Sequence, residues 1–151
     1  MRAVVQRVSR ARVVTAGQVA GAIAEGLCVL VAALSGDTEE DARFIAHKVA
    51  SLRIFPDEQG RMNRDVRESG GRVLLISQFT LAADTTSGTR PSFSAALAPA
   101  EAEELLQVLA THLANEGLSA ATGVFGAKMQ VELTNDGPVT IYLDSRDKRH
   151  K

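Results

Sequence analysis

The sequence predicts a single domain of the α/β class in its α+β form: a mostly antiparallel β-sheet or barrel with two amphipathic helices packed outside. The chain has 151 residues, which suits one domain, and 45% of them are hydrophobic. Strand-like segments outnumber helical ones, and the last of them are joined by short connections, which favour antiparallel pairing. A doubly wound sheet would require a more regular alternation of strand and helix.

The first half of the chain is predicted to hold three strands and one helix. Residues 2–8 alternate apolar and longer polar side chains, residues 13–26 contain a short second strand, and residues 27–34 form a buried, β-branched strand. A helix begins at residues 37–40, where an acid follows a capping side chain by three positions. It runs to about Leu52 and presents apolar side chains on one face.

The second half is predicted to open with loops and then to form a strand and a helix. Residues 56–71 are rich in Pro, Gly, Asp and Arg and form loops, with room for one short strand. Residues 72–81 form a strand, and residues 82–98 form an ordered surface loop. Pro99 suits the first turn of a helix, which leucines at helical spacing continue to a glycine cap at Gly117.

The rest of the chain is predicted to divide into strands and a tail. Residues 119–145 return to strands, so the folded domain covers residues 1–145. Residues 146–151 carry four Lys and Arg side chains and are predicted to form a basic, disordered tail.

The composition of the chain limits the kinds of partner and the cellular compartment that we expect. The formal net charge is −1, which argues against a protein that wraps duplex nucleic acid but leaves recognition of a short nucleic-acid end open. Cys28 is the single cysteine; it reads as a small buried hydrophobe and suits a reducing cytosol. No apolar run approaches the length of a membrane helix. We therefore expect a soluble, cytoplasmic protein.

Metal and cofactor motifs are not found in the sequence. The three histidines, His47, His112 and His150, lack metal-ligand spacing, and the chain contains no CxxC, GxSxG, P-loop or GxGxxG motif. A Ser-His-Asp triad stays open, because triads are defined by geometry rather than by order. We expect no metal and no cofactor.

Three features are candidates for a site, and each has two readings. The strand 72–81 turns polar at its end, at Ser77, Gln78 and Thr80; it either opens into a site or emerges into solvent. Gly137–Pro138 is either an ordinary turn or a rigid backbone shape that projects from a sheet. Arg7, among strand valines, either extends its head to water or holds a carbonyl or phosphate with its planar fork.

Several motifs, in order and at a consistent spacing, resemble the D-aminoacyl-tRNA deacylases of the bacterial and eukaryotic type. The resemblance spans residues 1–145. The motifs that carry it are Arg2–Ala3–Val4–Val5–Gln6–Arg7–Val8, Leu52–Arg53–Ile54–Phe55, Ser77–Gln78–Phe79–Thr80–Leu81, Arg90–Pro91–Ser92–Phe93, Thr122–Gly123–Val124–Phe125–Gly126–Ala127–Lys128–Met129 and Asn135–Asp136–Gly137–Pro138–Val139–Thr140. The alanine-rich residues 20–34 and the basic tail depart from the family pattern.

The resemblance implies an enzyme that hydrolyses the ester of D-aminoacyl-tRNA, and also glycine mischarged on alanine tRNA, as chiral proofreading in translation. It implies a homodimer with two sites at the interface. In each site a cis Gly137–Pro138 pair would enter the partner's pocket and exclude L side chains. The catalytic residues would be Ser77, Gln78, Phe79 and Thr80. Leu81 would complete the wall of the pocket, and Arg7 would help to bind the substrate.

The resemblance also implies a mechanism. The 2′-hydroxyl of the terminal adenosine would assist hydrolysis, while main-chain N–H groups near Phe79 and Thr80 hold the substrate. Thr80 as a covalent nucleophile is the second choice, because the sequence supplies no obvious base beside it. Phe125 and Met129 would line an adenine pocket.

Two other functions stay open at this point. One is a small-molecule esterase or amidase that uses Thr80 or Ser77. The other is a non-catalytic nucleic-acid-binding module that uses arginines of the first strand and the basic tail; these arginines are Arg2, Arg7, Arg10 and Arg12.

Overall fold

The computed structural model describes the backbone of residues 1–150 and the side chains of residues 1–147. Within this part of the chain there are eight strands, two α-helices and two short 3₁₀ helices. The strands are β1 Arg2–Thr15, β2 Gln18–Ile23, β3 Gly26–Ala32, β4 Phe55–Pro56, β5 Met62–Arg64, β6 Arg72–Ser77, β7 Ala121–Thr122 and β8 Gln130–Asp144. The helices are α1 Glu39–Ser51 and α2 Pro99–Asn115, and the 3₁₀ helices are Phe79–Ala82 and Ser145–His150.

One six-stranded mixed sheet forms the body of the fold. Its strand order is β2-β1-β3-β6-β7, and β8 pairs with β1. The strand β1 is antiparallel to β2, β3 and β8, whereas β6 runs parallel to both β3 and β7. The ends of the order approach each other, since a Cβ on Gly21 of β2 would lie 2.5 Å from the Thr122 carbonyl oxygen of β7. The predicted fold class, a near-closed sheet with two helices outside it, is confirmed.

The two faces of the sheet bury separate apolar clusters. Alternate side chains of β1 and β3, such as Val5 and Val29, pack beneath α1 and α2. Their intervening neighbours, such as Cys28, join Val13 and Leu74 in a second cluster on the opposite face. Both helices are therefore held by one stripe of apolar side chains, as their sequence spacing predicts.

Two strand boundaries differ from the sequence prediction. The strand β1 does not stop at residue 8 but continues to Thr15, and the chain reverses at Ala16–Gly17, where both φ angles are positive. β8 pairs with β1 over almost this whole length, which sequence alternation could not show. Residues 55–64 also hold the short strands β4 and β5, where one short strand at most was expected.

The predicted strand 72–81 is wrong beyond residue 77. Its neighbour β3 ends at Ala32, and the last bond between them runs from the Gln78 N–H to the Val31 carbonyl oxygen at 2.8 Å. With no further partner strand, the chain turns into the 3₁₀ helix, where the Leu81 N–H donates to the Gln78 carbonyl oxygen. Residues 79 and 81 therefore do not continue a strand face.

The predicted basic tail, residues 146–151, follows directly on β8. Ser145–His150 form a 3₁₀ helix. It begins at Ser145, which is buried and whose N–H donates to the Met1 carbonyl oxygen at 2.9 Å. The Arg146 N–H then donates to the Asp144 carboxylate. The side chains of residues 148–150, and all of residue 151, lie outside the described part.

Candidate active site

A cavity of about 610 Å³ opens beside the end of β6. Its walls are mostly apolar, and none of the described residues that line it has a charged side chain. Its lining comes from β3, the turn after β6, the start of α2 and the loop before β8, and includes Val31, Ser77, Gln78, Phe79, Phe93, Leu97, Leu106, Phe125, Met129 and Val131. A site of this kind can hold a small apolar or aromatic group beside a few polar atoms.

The segment Ser77–Leu81 forms one edge of this cavity. Ser77, Gln78 and Phe79 line it, whereas Thr80 is exposed and Leu81 is not a lining residue. The Leu81 carbonyl oxygen accepts from Arg2 Nη1 at 2.9 Å. The Gln78 amide donates to the Thr80 hydroxyl. The N–H groups of Phe79 and Thr80 stand at the start of the 3₁₀ helix, where a donor has no partner within the helix.

An aromatic pair stands at the mouth of the cavity. The rings of Phe79 and Phe93 meet edge to face with their centroids 5.1 Å apart. Phe79 is 60% exposed, which is unusual for a phenylalanine in a monomeric surface. An exposed apolar ring at a cavity mouth suits contact with a ligand or a second chain.

Phe125 and Met129 line the cavity from the loop between β7 and β8. A Cβ added to Gly123 would lie 2.6 Å from the Met129 sulfur, so a glycine there lets Met129 pack closely against the loop. Phe125 also lines a smaller adjoining cavity of about 190 Å³, together with Ser77, Glu103, Gln107 and Thr122. The predicted aromatic and thioether groups are therefore present side by side.

The Gly137–Pro138 pair lies in a bulge of β8 rather than in a turn between two strands. Val8 of β1 pairs with Asn135, and Gln6 pairs with Thr140, so residues 136–139 face the single residue Arg7. The peptide bond is cis, and both residues are exposed. Gly137 has φ +150°, and a Cβ there would lie 2.7 Å from the Val139 nitrogen, so only glycine fits.

Two side chains hold the bulge in place. Arg7 donates from Nε to the Asp136 carbonyl oxygen at 2.9 Å and from Nη1 to the Ile54 carbonyl oxygen at 2.6 Å, with its side chain 12% exposed. Asn135 closes the bulge from within, since its amide oxygen accepts from the Val139 N–H at 2.8 Å and its nitrogen donates to the Val139 carbonyl oxygen at 3.2 Å. The backbone of the bulge is thus fixed by bonds to side chains.

The structure separates the ten predicted site residues into two groups. Ser77, Gln78, Phe79, Phe125 and Met129 meet around the large cavity. Arg7, Gly137 and Pro138 form the bulge, and none of the three lines that cavity within this chain. Thr80 and Leu81 adjoin the first group without lining it.

Strand β1 contacts both groups, at different points. Arg2 donates to the Leu81 carbonyl oxygen, and Arg7 donates to the Asp136 carbonyl oxygen. The Cα atoms of Arg2 and Arg7 lie about 17 Å apart, at ~3.3 Å per residue of strand. Neither Gly137 nor Pro138 lines the cavity of its own chain.

Two residues at the site were not among the predicted site residues. Phe93 belongs to a motif that the resemblance quotes, but only the fold brings its ring to Phe79. Asn135 holds the bulge, and its position two residues before a glycine is a signal that could have identified it, because asparagine side chains often bond the backbone of turns.

Neither a metal cluster nor a membrane-spanning helix is found among the described residues. No group of three or more His, Cys, Asp and Glu side chains there is placed to bind a metal ion. No helix in this part of the chain is long and apolar enough to cross a membrane.

One mixed, near-closed sheet carries both features: an apolar cavity at a Ser-Gln-Phe-Thr turn and a Gly-Pro bulge on β8. A family described as D-Tyr-tRNA(Tyr) deacylase matches residues 4–144. The chain belongs to this family, and it is a hydrolase of the D-aminoacyl-tRNA ester that acts in chiral proofreading. The predicted family and the predicted hydrolase activity are confirmed.

Individual relatives match over nearly their whole length. A D-aminoacyl-tRNA deacylase of Cereibacter sphaeroides is 54% identical over 145 residues, which cover 96% of this chain and 100% of the relative. One of Ruegeria pomeroyi is 56% identical over 144 residues, covering 95% and 99%.

Solved structures agree in fold. A structure described as a c-Myc DNA unwinding element binding protein has a TM-score of 0.89 at 38% identity, covering 95% of this chain and 98% of that one. A second structure, described as a probable eukaryotic D-amino acid tRNA deacylase, has a TM-score of 0.80 at 15% identity, covering 94% and 97%. At that identity the second likeness shows the fold alone.

Proposed function

We propose that two copies of this chain build the hydrolytic site together, with the Gly137–Pro138 bulge of one copy entering the cavity of the other. The observation that carries this proposal is that the exposed Gly137–Pro138 bulge does not line the apolar cavity of its own chain. A two-fold homodimer supplies both contacts at once, because each copy gives its bulge and receives the other's. The exposed Phe79 ring at the cavity mouth fits such a contact.

The bulge acts as the chirality gate. Its carbonyl groups cannot move with a side-chain rotamer, because Arg7 and Asn135 hold the backbone on both sides of Gly137. A fixed backbone excludes the side chain of an L-amino acid sterically and admits the D configuration. Glycine has no side chain to exclude, so glycine mischarged on alanine tRNA is also a substrate.

The chemistry needs positioning more than a protein base. An aminoacyl ester is already activated, and the N–H groups of Phe79 and Thr80 are placed to bind its carbonyl oxygen as negative charge develops there. Water attacks the carbonyl carbon with the help of the RNA 2′-hydroxyl, and the ester bond to the terminal ribose breaks. Ser77 and Gln78 orient the amino acid, while Phe125 and Met129 hold the adenine.

A covalent role for Thr80 has little support in the geometry. The partner of its hydroxyl is the Gln78 amide nitrogen, which is a donor and cannot accept the hydroxyl proton. An esterase for small molecules that uses Thr80 or Ser77 therefore remains the weaker hypothesis. Equal turnover of free D-amino acid esters and charged tRNA would favour it.

Non-catalytic nucleic-acid binding is the second candidate, because one structural relative is described as a DNA unwinding element binding protein. The arginines of β1 give little support to nucleic-acid binding, because several of them already pair with other groups of the chain. Arg2 contacts the Leu81 carbonyl oxygen and Asp144, and Arg12 pairs with Glu132. Tight binding of uncharged nucleic acid without turnover would favour this candidate.

The substrate that we propose is aminoacyl-tRNA, and the enzyme would encounter it in the cytoplasm.

The first experiment compares hydrolysis of D-tyrosyl-tRNA and L-tyrosyl-tRNA and measures mass by sedimentation. We expect turnover of the D substrate alone and a dimer at micromolar concentration. A monomer with full activity would overturn the shared site but not the activity.

A complementation experiment tests the shared site directly. Gly137→Ala damages the bulge, because the added Cβ meets Val139, and Phe79→Ala damages the cavity mouth. Each variant alone should lose most activity. In an equal mixture after subunit exchange, half of the dimers pair the two variants and each regains one intact site, so about a quarter of the wild-type activity should return. No recovery after proven exchange would show that each chain acts alone.

A further inference from the structure

We propose that Arg90 and Lys128 bind phosphate groups of the RNA strand that leads into the cavity, and so set the path of the acceptor end over this side of the cavity. This inference rests on the proposed function, because it names how the same site receives its nucleic acid. These two side chains act at the rim of the cavity and not on the atoms that react.

The cavity itself cannot attract a polyanion. None of the described residues that line it has a charged side chain, and the chain as a whole has a formal net charge of −1. Binding of RNA at physiological salt depends largely on cations that meet phosphates. Such cations must therefore stand at the rim, close in the chain to lining residues.

Arg90 lies in the loop that leads to Phe93, three residues before this lining residue. Its loop is closed by two bonds between the backbones of Asp84 and Ser92, at 2.7 and 2.9 Å, and Phe93 follows directly at the cavity mouth. The carboxylate of Asp84 accepts from the N–H and the hydroxyl of Thr86, and these bonds lower the pKa of Asp84. The Asp84 carboxylate therefore already has hydrogen-bond partners within its own loop. The Arg90 side chain is exposed.

Lys128 lies in the loop before β8, between two residues that line the cavity, Ala127 and Met129. Its backbone is held, since the Thr15 hydroxyl donates to its carbonyl oxygen at 3.0 Å. Its side chain is exposed. Within the part of the chain that the structure describes, neither Lys128 nor Arg90 has a side-chain hydrogen bond or ion pair, so both cations are available to a ligand.

The start of α2 carries the opposite charge. Glu101, Glu103 and Glu104 lie in its first two turns, all three are exposed, and Glu103 lines the smaller cavity that adjoins the large one. Phosphates are repelled there and attracted at Arg90 and Lys128. The distribution of charge therefore assigns a direction to the RNA strand, away from α2.

The test uses two substrates that differ in phosphate. One is D-tyrosyl-tRNA, and the other is the D-tyrosyl ester of adenosine, which has no phosphate. We expect the double variant Arg90→Gln/Lys128→Gln to lower kcat/KM for the tRNA about tenfold at low salt, mainly through KM. For the adenosine ester, kcat/KM should stay within about twofold of wild type. The charge-conserving pair Arg90→Lys/Lys128→Arg should keep most activity on tRNA, since phosphates accept either cation.

Salt dependence gives an independent measure. In plots of log Kd for uncharged tRNA against log salt, loss of two phosphate contacts should reduce the slope by about 1.4, at ~0.7 per contact for single strands. The matched control is Arg43→Gln. Arg43 is an exposed arginine of α1, and no residue of this helix lines the cavity. Its slope should equal that of wild type.

Each result decides one claim. An unchanged slope and unchanged kcat/KM for tRNA in the double variant would overturn the inference while the wild-type activity stands. Equal losses on both substrates would also overturn it, because they indicate damage to the cavity. Failure of the wild-type protein to hydrolyse D-tyrosyl-tRNA would instead overturn the proposed function.

Discussion

Replacing Arg7 by lysine tests whether the position of the bulge matters for activity. The Arg7 guanidinium donates to the carbonyl oxygens of Asp136 and Ile54, at 2.9 and 2.6 Å, from two different nitrogens. Arg7→Lys keeps the charge but removes the planar fork, so one ammonium must replace two donors in fixed directions. We expect one of the two bonds to be lost.

The size of the effect follows from the burial and charge of this contact. A hydrogen bond to a charged group contributes about 1.5–3 kcal/mol, and the Arg7 side chain is only 12% exposed. If the bulge must be fixed for the substrate to bind productively, that loss lowers kcat/KM for D-tyrosyl-tRNA roughly 10- to 100-fold, at ~1.4 kcal/mol per factor of ten. The same loss lowers Tm by roughly 3–12 °C, so the domain stays folded at 25 °C.

The assay is hydrolysis of D-tyrosyl-tRNA and L-tyrosyl-tRNA at 25 °C. Arg67→Lys is the matched control, because Arg67 also bonds acceptors from two nitrogens, on Asp65 and Glu116, and neither partner belongs to the bulge. Asp136→Ala should be mild, since Arg7 bonds the carbonyl oxygen of Asp136 and the carboxylate is 60% exposed. An Arg7→Lys protein with full kcat/KM and full selectivity would refute the reasoning.

Three further predictions concern chemistry, pH and the tail. Thr80→Ala should keep substantial turnover, while a substrate ending in 2′-deoxyadenosine should be nearly inert; single-turnover hydrolysis of both checks this, and the opposite pattern would make Thr80 the nucleophile. Burial raises the pKa of Cys28 to about 11. Because an unfolded thiol titrates near ~8.5, the free energy of unfolding should be unaffected by this group below about pH 8 and fall between about pH 9 and 11, by at most ~1.4 kcal/mol per pH unit. Urea unfolding of wild type against Cys28→Ala measures it, and parallel pH curves would contradict it. Deletion of residues 146–151 should leave kcat unchanged and weaken tRNA binding only at low salt, as a Kd series in salt would show; normal affinity at every salt concentration would make the tail a plain solvated end.

Some of this structure could be predicted from the sequence because the signals are local. The helix α2 follows from a proline in its first turn and leucines at helical spacing, such as Leu105 and Leu109. The glycine at 137 is required by a φ of +150°, a property of one residue. Membership of the family, and with it the hydrolase activity, also followed from motifs readable in one dimension.

The remaining features depend on partners far away in the chain. The strand β1 continues to Thr15 because its second half pairs with both β2 and the start of β8, where Gln130 lies opposite Val14. The strand β6 ends at Ser77 because its neighbour β3 ends. Local alternation carries no information about where a distant partner stops, since each ladder bond is made by two segments at once.

The division of the site was likewise decided by the tertiary structure alone. In the sequence, the Ser77–Leu81 motif and the Gly137–Pro138 motif are two short segments of one chain, about sixty residues apart. The fold attaches them to β1 at two points five residues apart, Arg2 and Arg7, and leaves Gly137 and Pro138 outside the cavity that Ser77 lines. A distance between two remote segments exists only once the sheet that joins them has formed.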